Sequence, residues 1–244
     1  MERARYFTES YRQYEGEVSV PELRALALKN YFAKKTLYIG EGELIVGEKG
    51  CGPQASPTFP DLCCHTAEDL KVMNDRELIS FRVKEEDYEF QQKEIIPYWE
   101  KRSIRHKILS HMTPEWKAAY QAGIFTEFME QRGPGHTVGS ENIYRKGLLE
   151  YKEDIGRERE RLDYLHDPQA LEKEAQLKGM DIACDAVILL ASRYAQLAED
   201  MACGCREEER KAELLQIARN CRRVPARRPE TYWQAIQMLS LIHI

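Results

Sequence analysis

The stretch TEFMEQRGPGHTVGSENIYRKGLLEYKEDI, residues 126–155, is the most informative part of the 244-residue sequence. A helical, aromatic-rich segment ends at the Gly-Pro-Gly of residues 133–135, and His136 follows at once. A histidine flanked by glycine on a loop can point into a cavity, and imidazole is well suited to proton transfer near neutral pH. We therefore take His136 as a candidate for acid catalysis on a leaving hydroxyl or for substrate anchoring. The alternative is a histidine that bonds only to neighbouring backbone groups.

Helical patterns flank this stretch on both sides. Thr113 and Pro114 predict a helix start, since threonine can cap and proline fits the first turn. The predicted helices lie at residues 3–13, 21–35, 67–81, 84–109 with a break at Pro97, 113–132, 143–165, 168–201, 206–220 and from Pro229. The fold class is therefore predicted to be mostly α, with a few short strands and long loops.

Residues 36–65 interrupt the helical pattern. Two short β-rich pieces, Leu37 to Ile39 and Leu44 to Val46, are separated by glycines and followed by three prolines. An irregular stretch of this length usually packs against a larger structure or lines a site.

Composition excludes several classes of protein. The chain has 36 Lys plus Arg against 41 Asp plus Glu, a net charge of −5, and is 43% hydrophobic. An acidic balance argues against nucleic-acid binding, and this apolar content argues against disorder. No apolar run approaches the length of a membrane span. The amino terminus MERARYF reaches acidic and polar residues before any apolar run, so we expect no signal peptide. We expect one or two domains and a cytoplasmic location.

The seven cysteines are predicted to be reduced thiols. They include an adjacent pair, Cys63 and Cys64, and a close pair, Cys203 and Cys205, which do not form a spaced disulfide framework. A metal site at Cys63, Cys64 and His65 is the alternative. The sequence has no CxxC, the ligand spacing typical of structural zinc, so we predict no metal.

Two charged segments are interpreted as surface features. Residues 157–161 alternate arginine and glutamate, as a solvated helix face does. Four arginines, Arg222, Arg223, Arg227 and Arg228, could hold a phosphate or an anionic partner. A surface turn around an exposed Pro225 is the simpler interpretation. No aromatic residues are interleaved with the arginines, which argues further against nucleic-acid binding.

Six ordered blocks carry a family resemblance. They are GELIVGEKG, PTFPDLCCHTAEDL, IIPYWEKR, MTPEW, FTEFMEQRGPGHTV and YRKGLLEYKEDI. Together they resemble the amino-terminal region of glycyl radical enzymes of the pyruvate formate-lyase superfamily, from about Thr8 to Met238. Members that act on trans-4-hydroxy-L-proline resemble the chain most. Residues 139–141, Gly-Ser-Glu, depart from the expected Cys-Gly-Asp-like triplet.

The resemblance implies a fold and its partners. Residues 1–238 would be the amino-terminal part of a ten-stranded α/β barrel made of two half-barrels. A radical S-adenosylmethionine activating enzyme with an iron-sulfur cluster would install the glycyl radical, and the full-length enzyme would be a homodimer.

The resemblance also implies a reaction. The glycyl radical would generate a cysteine thiyl, which removes hydrogen from carbon 5 of hydroxyproline. Loss of the carbon 4 hydroxyl as water would give 1-pyrroline-5-carboxylate. His136 would face the departing hydroxyl, and Phe128 would wall the substrate pocket; the alternative for Phe128 is a core aromatic.

Two loops of the family are not in the sequence, namely the glycyl loop, similar to Arg-Val-Ala-Gly-Tyr, and the cysteine loop, similar to Gly-Cys-Val-Glu. The segment Gly204-Cys205-Arg206-Glu207 imitates the second. We reject it, because it lies too early in a charged segment where a thiyl would face solvent. None of the seven cysteines is offered as catalytic, and the chain alone is predicted to be inactive.

The last six residues, LSLIHI at 239–244, resemble a translated adapter from DNA library preparation. We expect them to be a non-native tail. Two alternatives to hydroxyproline dehydration stay open: another glycyl radical dehydratase or lyase, acting on glycerol, propanediol, isethionate or choline, and a non-catalytic helical binding module.

Overall fold

The computed structural model describes residues 1–52, 55–78, 81–125 and 139–243, and these are mainly helical. The helices are α1 Glu2–Tyr14, α2 Val20–Lys34, α3 Ala67–Asp75, α4 Glu85–Phe90, α5 Ile96–Trp99, α6 Ile104–His111, α7 Pro114–Gln121, α8 Asn142–Arg145, α9 Leu148–Glu160, α10 Ala170–Gly204, α11 Glu208–Arg223 and α12 Tyr232–His243. This confirms the prediction of a mostly α chain. Within the described ranges, no helix is both long and apolar enough to cross a bilayer.

The chain forms two compact units. The first comprises the described residues of Met1, Arg3–Thr8 and Ser56–Gly135, and the second those of Glu2, Glu9–Ala55 and His136–Ile244.

Helix α10 is the centre of the second unit and packs against α2, α9 and α11. Its buried face is rich in alanine, and Ala186, Leu190 and Ala191 are all buried, as the sequence predicted. Small residues let neighbouring helices approach closely. At Gly179 a Cβ atom would lie 2.9 Å from the carbonyl oxygen of Pro21, so α2 and α10 meet backbone to backbone.

Helix α2 begins with a capping box. The Ser19 side chain accepts a hydrogen bond from the Glu22 N–H, and the Glu22 carboxylate accepts one from the Ser19 N–H at 3.1 Å. These bonds satisfy two backbone donors that the helix leaves unpaired. Pro21 lies in the first turn, where its missing N–H costs nothing, and this confirms the predicted helix start.

The predicted strands at Leu37 to Ile39 and Leu44 to Val46 are wrong. In the described chain both are irregular, with no neighbouring strand. Side chains from two helices, α11 and α12, hold the backbone instead. Arg210 donates to the carbonyl oxygens of Gly40 and Glu43, at 2.9 and 3.0 Å. Trp233 Nε1 donates to the Leu44 carbonyl at 2.9 Å.

Helix α12 continues through the last residues that the structure describes. Met238 and Leu241 are buried, and Leu239 and Ile242 pack against the cluster formed by Ile143, Val224 and Met238. That residues 239–244 are a non-native tail stays a prediction, because an apolar segment can pack whatever its origin.

The first unit contains a buried ion pair. Arg3 donates to both carboxylate oxygens of Asp61, at 2.7 and 3.1 Å, and to the Thr58 carbonyl at 3.3 Å. Its guanidinium also lies over the rings of Phe7 and Phe59, 3.8 and 4.1 Å from their centroids. The Arg3 guanidinium is paired with both oxygens of Asp61 and is covered by two aromatic rings. The ion pair is therefore well satisfied although it is buried.

The 84–109 segment departs from a regular α-helix just before Pro97, where a kink or break was predicted, but it does not break there, because it stays helical to Trp99. A π-helical turn, Gln91–Ile95, separates α4 from α5, and Pro97 lies in the first turn of α5. Proline has no N–H, and its ring collides with the carbonyl of the preceding turn, so the helix widens before it. Helix α3 ends at Asp75, earlier than the predicted residue 81.

Candidate functional site

His136 and Phe128, the two predicted site residues, lie outside the described residues. The structure describes the chain that leads into their segment, up to Phe125, and the chain that leaves it, from Gly139.

The leading flank is helix α7. Thr113 caps it by accepting a hydrogen bond from the Trp116 N–H at 3.4 Å, which confirms the predicted helix start. The prediction that this helix runs to residue 132 is wrong, because α7 ends at Gln121.

Gly123 explains where α7 ends. Its φ of 73° is left-handed, its N–H donates to the Tyr120 carbonyl, and the Ile124 N–H donates to the Ala119 carbonyl. This is the Schellman arrangement, which satisfies the last carbonyls of a helix and turns the chain away. The glycine is therefore a local stop signal that the aromatic pattern of the segment obscured.

Aromatic contacts fix Phe125 after the turn. Its ring lies edge-on to Trp116, with centroids 5.2 Å apart, and 5.7 Å from Tyr120. The Tyr120 hydroxyl accepts a hydrogen bond from Arg105 at 2.7 Å. Phe125 therefore enters the segment with its ring held against two aromatic neighbours.

The cysteine-histidine cluster lies in the same unit. Arg105 also donates to Cys63 Sγ at 3.2 Å. Burial, with a smaller contribution from Cys63, raises the pKa of Cys64 to about 12. Burial lowers the pKa of His65, although Asp69 opposes that shift. Because the thiolate and not the thiol binds metals, the raised pKa of Cys64 disfavours metal binding. Among the described residues, no group of three or more His, Cys, Asp or Glu side chains could hold a metal ion.

The leaving flank starts with a tight turn. Gly139 and Ser140 both have left-handed backbones, with φ of 76° and 51°. The Asn142 N–H donates to the Gly139 carbonyl at 3.0 Å, and α8 follows at once. Ile143 in α8 is buried against Val224 and Met238. The turn is therefore attached to the core of the second unit by one apolar side chain.

A second attachment lies four residues further on. The predicted single helix over 143–165 is in fact α8 and α9, separated at Lys146 and Gly147. The Leu148 and Leu149 N–H groups donate to the carbonyls of Pro225 and Ala226, at 2.8 and 3.0 Å. The first donors of α9 are thus satisfied by a neighbouring loop.

Sequence reasoning missed Lys35, a buried lysine at the carboxyl end of α2. Its ammonium donates to the carbonyl oxygens of Glu48 and Lys49, the latter at 3.4 Å, and the Tyr31 hydroxyl donates to Lys49 at 2.8 Å. Burial lowers the pKa of Lys35 to about 8. In the sequence, only the position of Lys35 next to the irregular segment, residues 36–65, could have indicated that this lysine is buried.

The thiols and arginines are placed as follows. All seven cysteines lie in the described chain as free cysteines, and their reduced state stays a prediction. Cys205 lies between α10 and α11, where its thiol donates to the Glu207 carbonyl at 3.4 Å.

Two of the four arginines predicted at the surface form ion pairs. Arg222 pairs with Glu199 at 2.8 Å and Arg223 pairs with Glu230. Pro225 is buried, so the prediction of an exposed proline there is wrong. Residues 157–161 are exposed, as the solvated-face interpretation predicted.

Comparison with known proteins extends over the whole chain. A family model described as pyruvate formate lyase-like matches residues 1–244. The trans-4-hydroxy-L-proline dehydratase of Clostridioides difficile is 54% identical over 244 residues, which are 100% of this chain and 31% of the relative. The probable dehydratase YbiW of Escherichia coli K12 is 32% identical over 100% of the chain and 30% of its own length.

A solved structure shows the same relationship. Hydroxyproline dehydratase from Clostridioides difficile, with trans-4-hydroxy-L-proline bound, superimposes with a TM-score of 0.94 at 53% identity, covering 100% of this chain and 31% of that one. The chain therefore spans about a third of the length of the relatives it matches. With its full length matched by the family model and its described fold shared with that structure, the chain belongs to the pyruvate formate lyase-like family.

Proposed function

We propose that the full-length protein dehydrates trans-4-hydroxy-L-proline to 1-pyrroline-5-carboxylate and water. One observation carries this proposal: similarity to the Clostridioides difficile dehydratase extends over the whole chain at an identity far above that to YbiW. We further propose that residues 1–238 form the amino-terminal part of a ten-stranded α/β barrel, and that residues 239–244 are non-native.

His136 is proposed to donate a proton to the departing hydroxyl. Hydroxide is a poor leaving group, so a proton delivered to its oxygen lowers the barrier to carbon-oxygen cleavage. Imidazole is the side chain generally suited to proton transfer near neutral pH, and Gly135, which precedes His136, has no side chain. Phe128 is proposed to wall the substrate pocket, where an apolar ring excludes water from the reacting atoms.

The atoms of the proposed reaction balance. The glycyl radical, when installed, would supply removal of a hydrogen atom from carbon 5, which a cysteine later returns. The hydroxyl leaves carbon 4 as water with the proton from His136, and the returned hydrogen atom goes to carbon 4. The ring nitrogen gives up one proton as the double bond to carbon 5 forms, which balances the proton that His136 gave, so the product is the substrate less one water. Binding, orienting and protonating the hydroxyl are the parts of this reaction that we assign to the chain.

The proposal includes partners and location. We infer activation by a radical S-adenosylmethionine enzyme with an iron-sulfur cluster, a homodimeric full-length enzyme, anaerobic metabolism and a cytoplasmic location. Residues 1–244 alone are proposed to have no turnover, because neither family loop that carries the radical chemistry is among them.

Anaerobic assay of the activated full-length protein tests the substrate. We expect turnover of hydroxyproline and none of glycerol, propanediol, isethionate or choline. Turnover of one of the others instead would replace hydroxyproline as the substrate, and no turnover of any would favour a binding module.

The role of His136 is tested by His136→Gln, which preserves hydrogen bonding but cannot carry a proton at neutral pH. We expect a loss of kcat of about 10²-fold or more. His111→Gln is the matched control, since His111 is an exposed helical histidine bonded to the Lys107 carbonyl of its own helix. Wild-type kcat in His136→Gln would contradict the acid role.

A further inference from the structure

Two accessible cysteines lie two residues apart at the end of α10. Cys203 is exposed in the last turn of the helix, and Cys205 is the partly exposed residue that follows the helix. The Cys205 thiol donates a hydrogen bond to the Glu207 carbonyl at 3.4 Å, a weak contact at the surface. In the described chain, both sulfur atoms can therefore be reached by a small reagent from solution.

Gly204, between the two cysteines, is the last helical residue of α10. Residues two apart in an α-helix have Cα atoms about 5.5 Å from each other, which is within the range that a disulfide needs. Their side chains, however, point to opposite sides of the helix. The two thiols can therefore meet only if Gly204 leaves the helical conformation.

The structure offers little resistance to that movement. Gly204 is exposed, and a Cβ atom built there would meet nothing within 4 Å. Glycine adopts a wide range of backbone conformations, and helix ends fray. The bond that closes the last turn, from the Cys205 N–H to the Ala202 carbonyl, is long at 3.3 Å. The end of α10 can thus open without displacing a packed side chain.

We propose that Cys203 and Cys205 form a dithiol that exchanges with small disulfides and closes to a reversible disulfide, with Gly204 as the hinge. The Cys203 thiolate attacks one sulfur of oxidised glutathione, whose sulfur-sulfur bond breaks and releases one glutathione thiolate. The Cys205 thiolate then attacks the Cys203 sulfur and displaces the second glutathione. The protein loses two protons and two electrons, which the two glutathione thiols carry away. This chemistry is separate from the proposed dehydration and does not depend on it.

The other thiols of the chain provide internal controls. Cys51 is exposed, and the cysteine nearest to it in the sequence is Cys63, which is buried. Glutathione bound to Cys51 should therefore stay in place. Cys63 is adjacent to Cys64, but it also accepts a hydrogen bond from Arg105 at 3.2 Å, so we expect no reaction at this pair.

The test treats the full-length protein with oxidised glutathione, blocks the remaining thiols and maps the peptides by mass spectrometry. We expect the peptide with Cys203 and Cys205 to lose two hydrogen masses and to carry no glutathione, whereas Cys51 keeps its glutathione. In Cys205→Ser the displacement cannot occur, so glutathione on Cys203 should be about tenfold more abundant than in wild type. Dithiothreitol should restore both thiols.

Two results would overturn the dithiol. They are a lasting glutathione adduct on Cys203 in the wild-type protein, and no reaction at Cys203. Turnover of hydroxyproline is not part of this assay, so the proposed function can fail or hold independently.

Gly204→Ala tests the hinge. Alanine favours the helical state over glycine, so the closure of the disulfide should slow about fivefold. Gly156→Ala is the matched control, because Gly156 is also helical and its Cβ atom would also meet nothing within 4 Å. This control should keep the wild-type rate. A wild-type rate in Gly204→Ala would overturn the role of Gly204.

Discussion

The Gln237 side chain pairs with the backbone of Val46 as a neighbouring strand would. The Val46 N–H donates to Gln237 Oε1 at 3.0 Å, and Gln237 Nε2 donates to the Val46 carbonyl at 2.8 Å. Both residues are buried, at 0% and 1% exposure, so water cannot replace these bonds. The side-chain amide of Gln237, in α12, thus satisfies both backbone groups of Val46, as the hydrogen bonds of a neighbouring strand would.

Gln237→Leu should therefore destabilise the protein by about 2–3 kcal/mol, because the Val46 N–H is left buried and unpaired. The Val46 carbonyl keeps the Ser240 hydroxyl as a donor, at 2.8 Å. The measurement is the free energy of unfolding in denaturant. Gln196→Leu is the control, since Gln196 bonds Asp200 on the surface, and it should change stability by less than about 0.5 kcal/mol. Equal effects would argue against the pairing.

Gly147→Ala should be strongly destabilising, by about 3 kcal/mol or more. A Cβ atom at 147 would lie 2.3 Å from the Arg227 Cα and 2.4 Å from the Ala226 carbonyl oxygen, and backbone atoms cannot rotate aside. A Cβ atom at Gly156, inside helix α9, which Gly147 precedes, meets nothing within 4 Å. The control Gly156→Ala should stabilise the protein by up to about 1 kcal/mol through helix propensity. Thermal unfolding followed by circular dichroism should show a lower melting temperature for Gly147→Ala and a higher one for Gly156→Ala. A wild-type melting temperature in Gly147→Ala would mean that residue 147 lies further from the backbone of residues 226–227.

Ser140→Gly should stabilise the protein by about 0.5–1 kcal/mol, because it removes the left-handed strain of a residue with φ of 51°. The reciprocal change, Gly42→Ser, places a serine at φ of 70° in open space and should lose about 1 kcal/mol. Both are read as shifts in the denaturation midpoint. A destabilised Ser140→Gly would show that the Ser140 side chain contributes more than its backbone costs.

Lys35 should make stability depend on alkaline pH. Its pKa is lowered to about 8 in the folded chain, first by burial, from an ordinary value of 10.5. Between these values the unfolded chain holds more protons than the folded one, so the free energy of unfolding should rise with pH from about 8 to 10.5. Lys35→Met should remove this rise, whereas Lys34→Met, an exposed neighbour paired with Glu9 at 2.7 Å, should keep it.

Comparing wild type with the two lysine variants separates the effect of Lys35 on stability from the effect of the buried thiols. Burial raises the pKa of Cys64 and Cys221 to about 12 and that of Cys184 to about 11, which opposes the rise as pH climbs. These groups are shared by all three proteins and cancel in the comparison. Parallel pH curves for wild type and Lys35→Met would show that the Lys35 ammonium stays charged throughout the range.

The helices could be predicted because their signals are local. Ser19, Thr66 and Thr113 each cap a helix through a residue three positions ahead, so the signal and the bond lie within one turn of chain. The end of α7 at Gly123 was equally local, but the apolar residues beyond it suggested a longer helix. The predicted site residues, His136 and Phe128, lie outside the described residues and stay predictions.

The amino-acid sequence by itself determined the family, through its ordered motifs, and most helices, through periodicity and caps. Only the tertiary structure decided that Leu44 to Val46 is not a strand, that Lys35 is buried, and that position 147 requires glycine. The reason is the same in each case. The groups that satisfy or crowd these positions, such as Gln237 beside Val46, come from distant parts of the chain that only folding brings into contact.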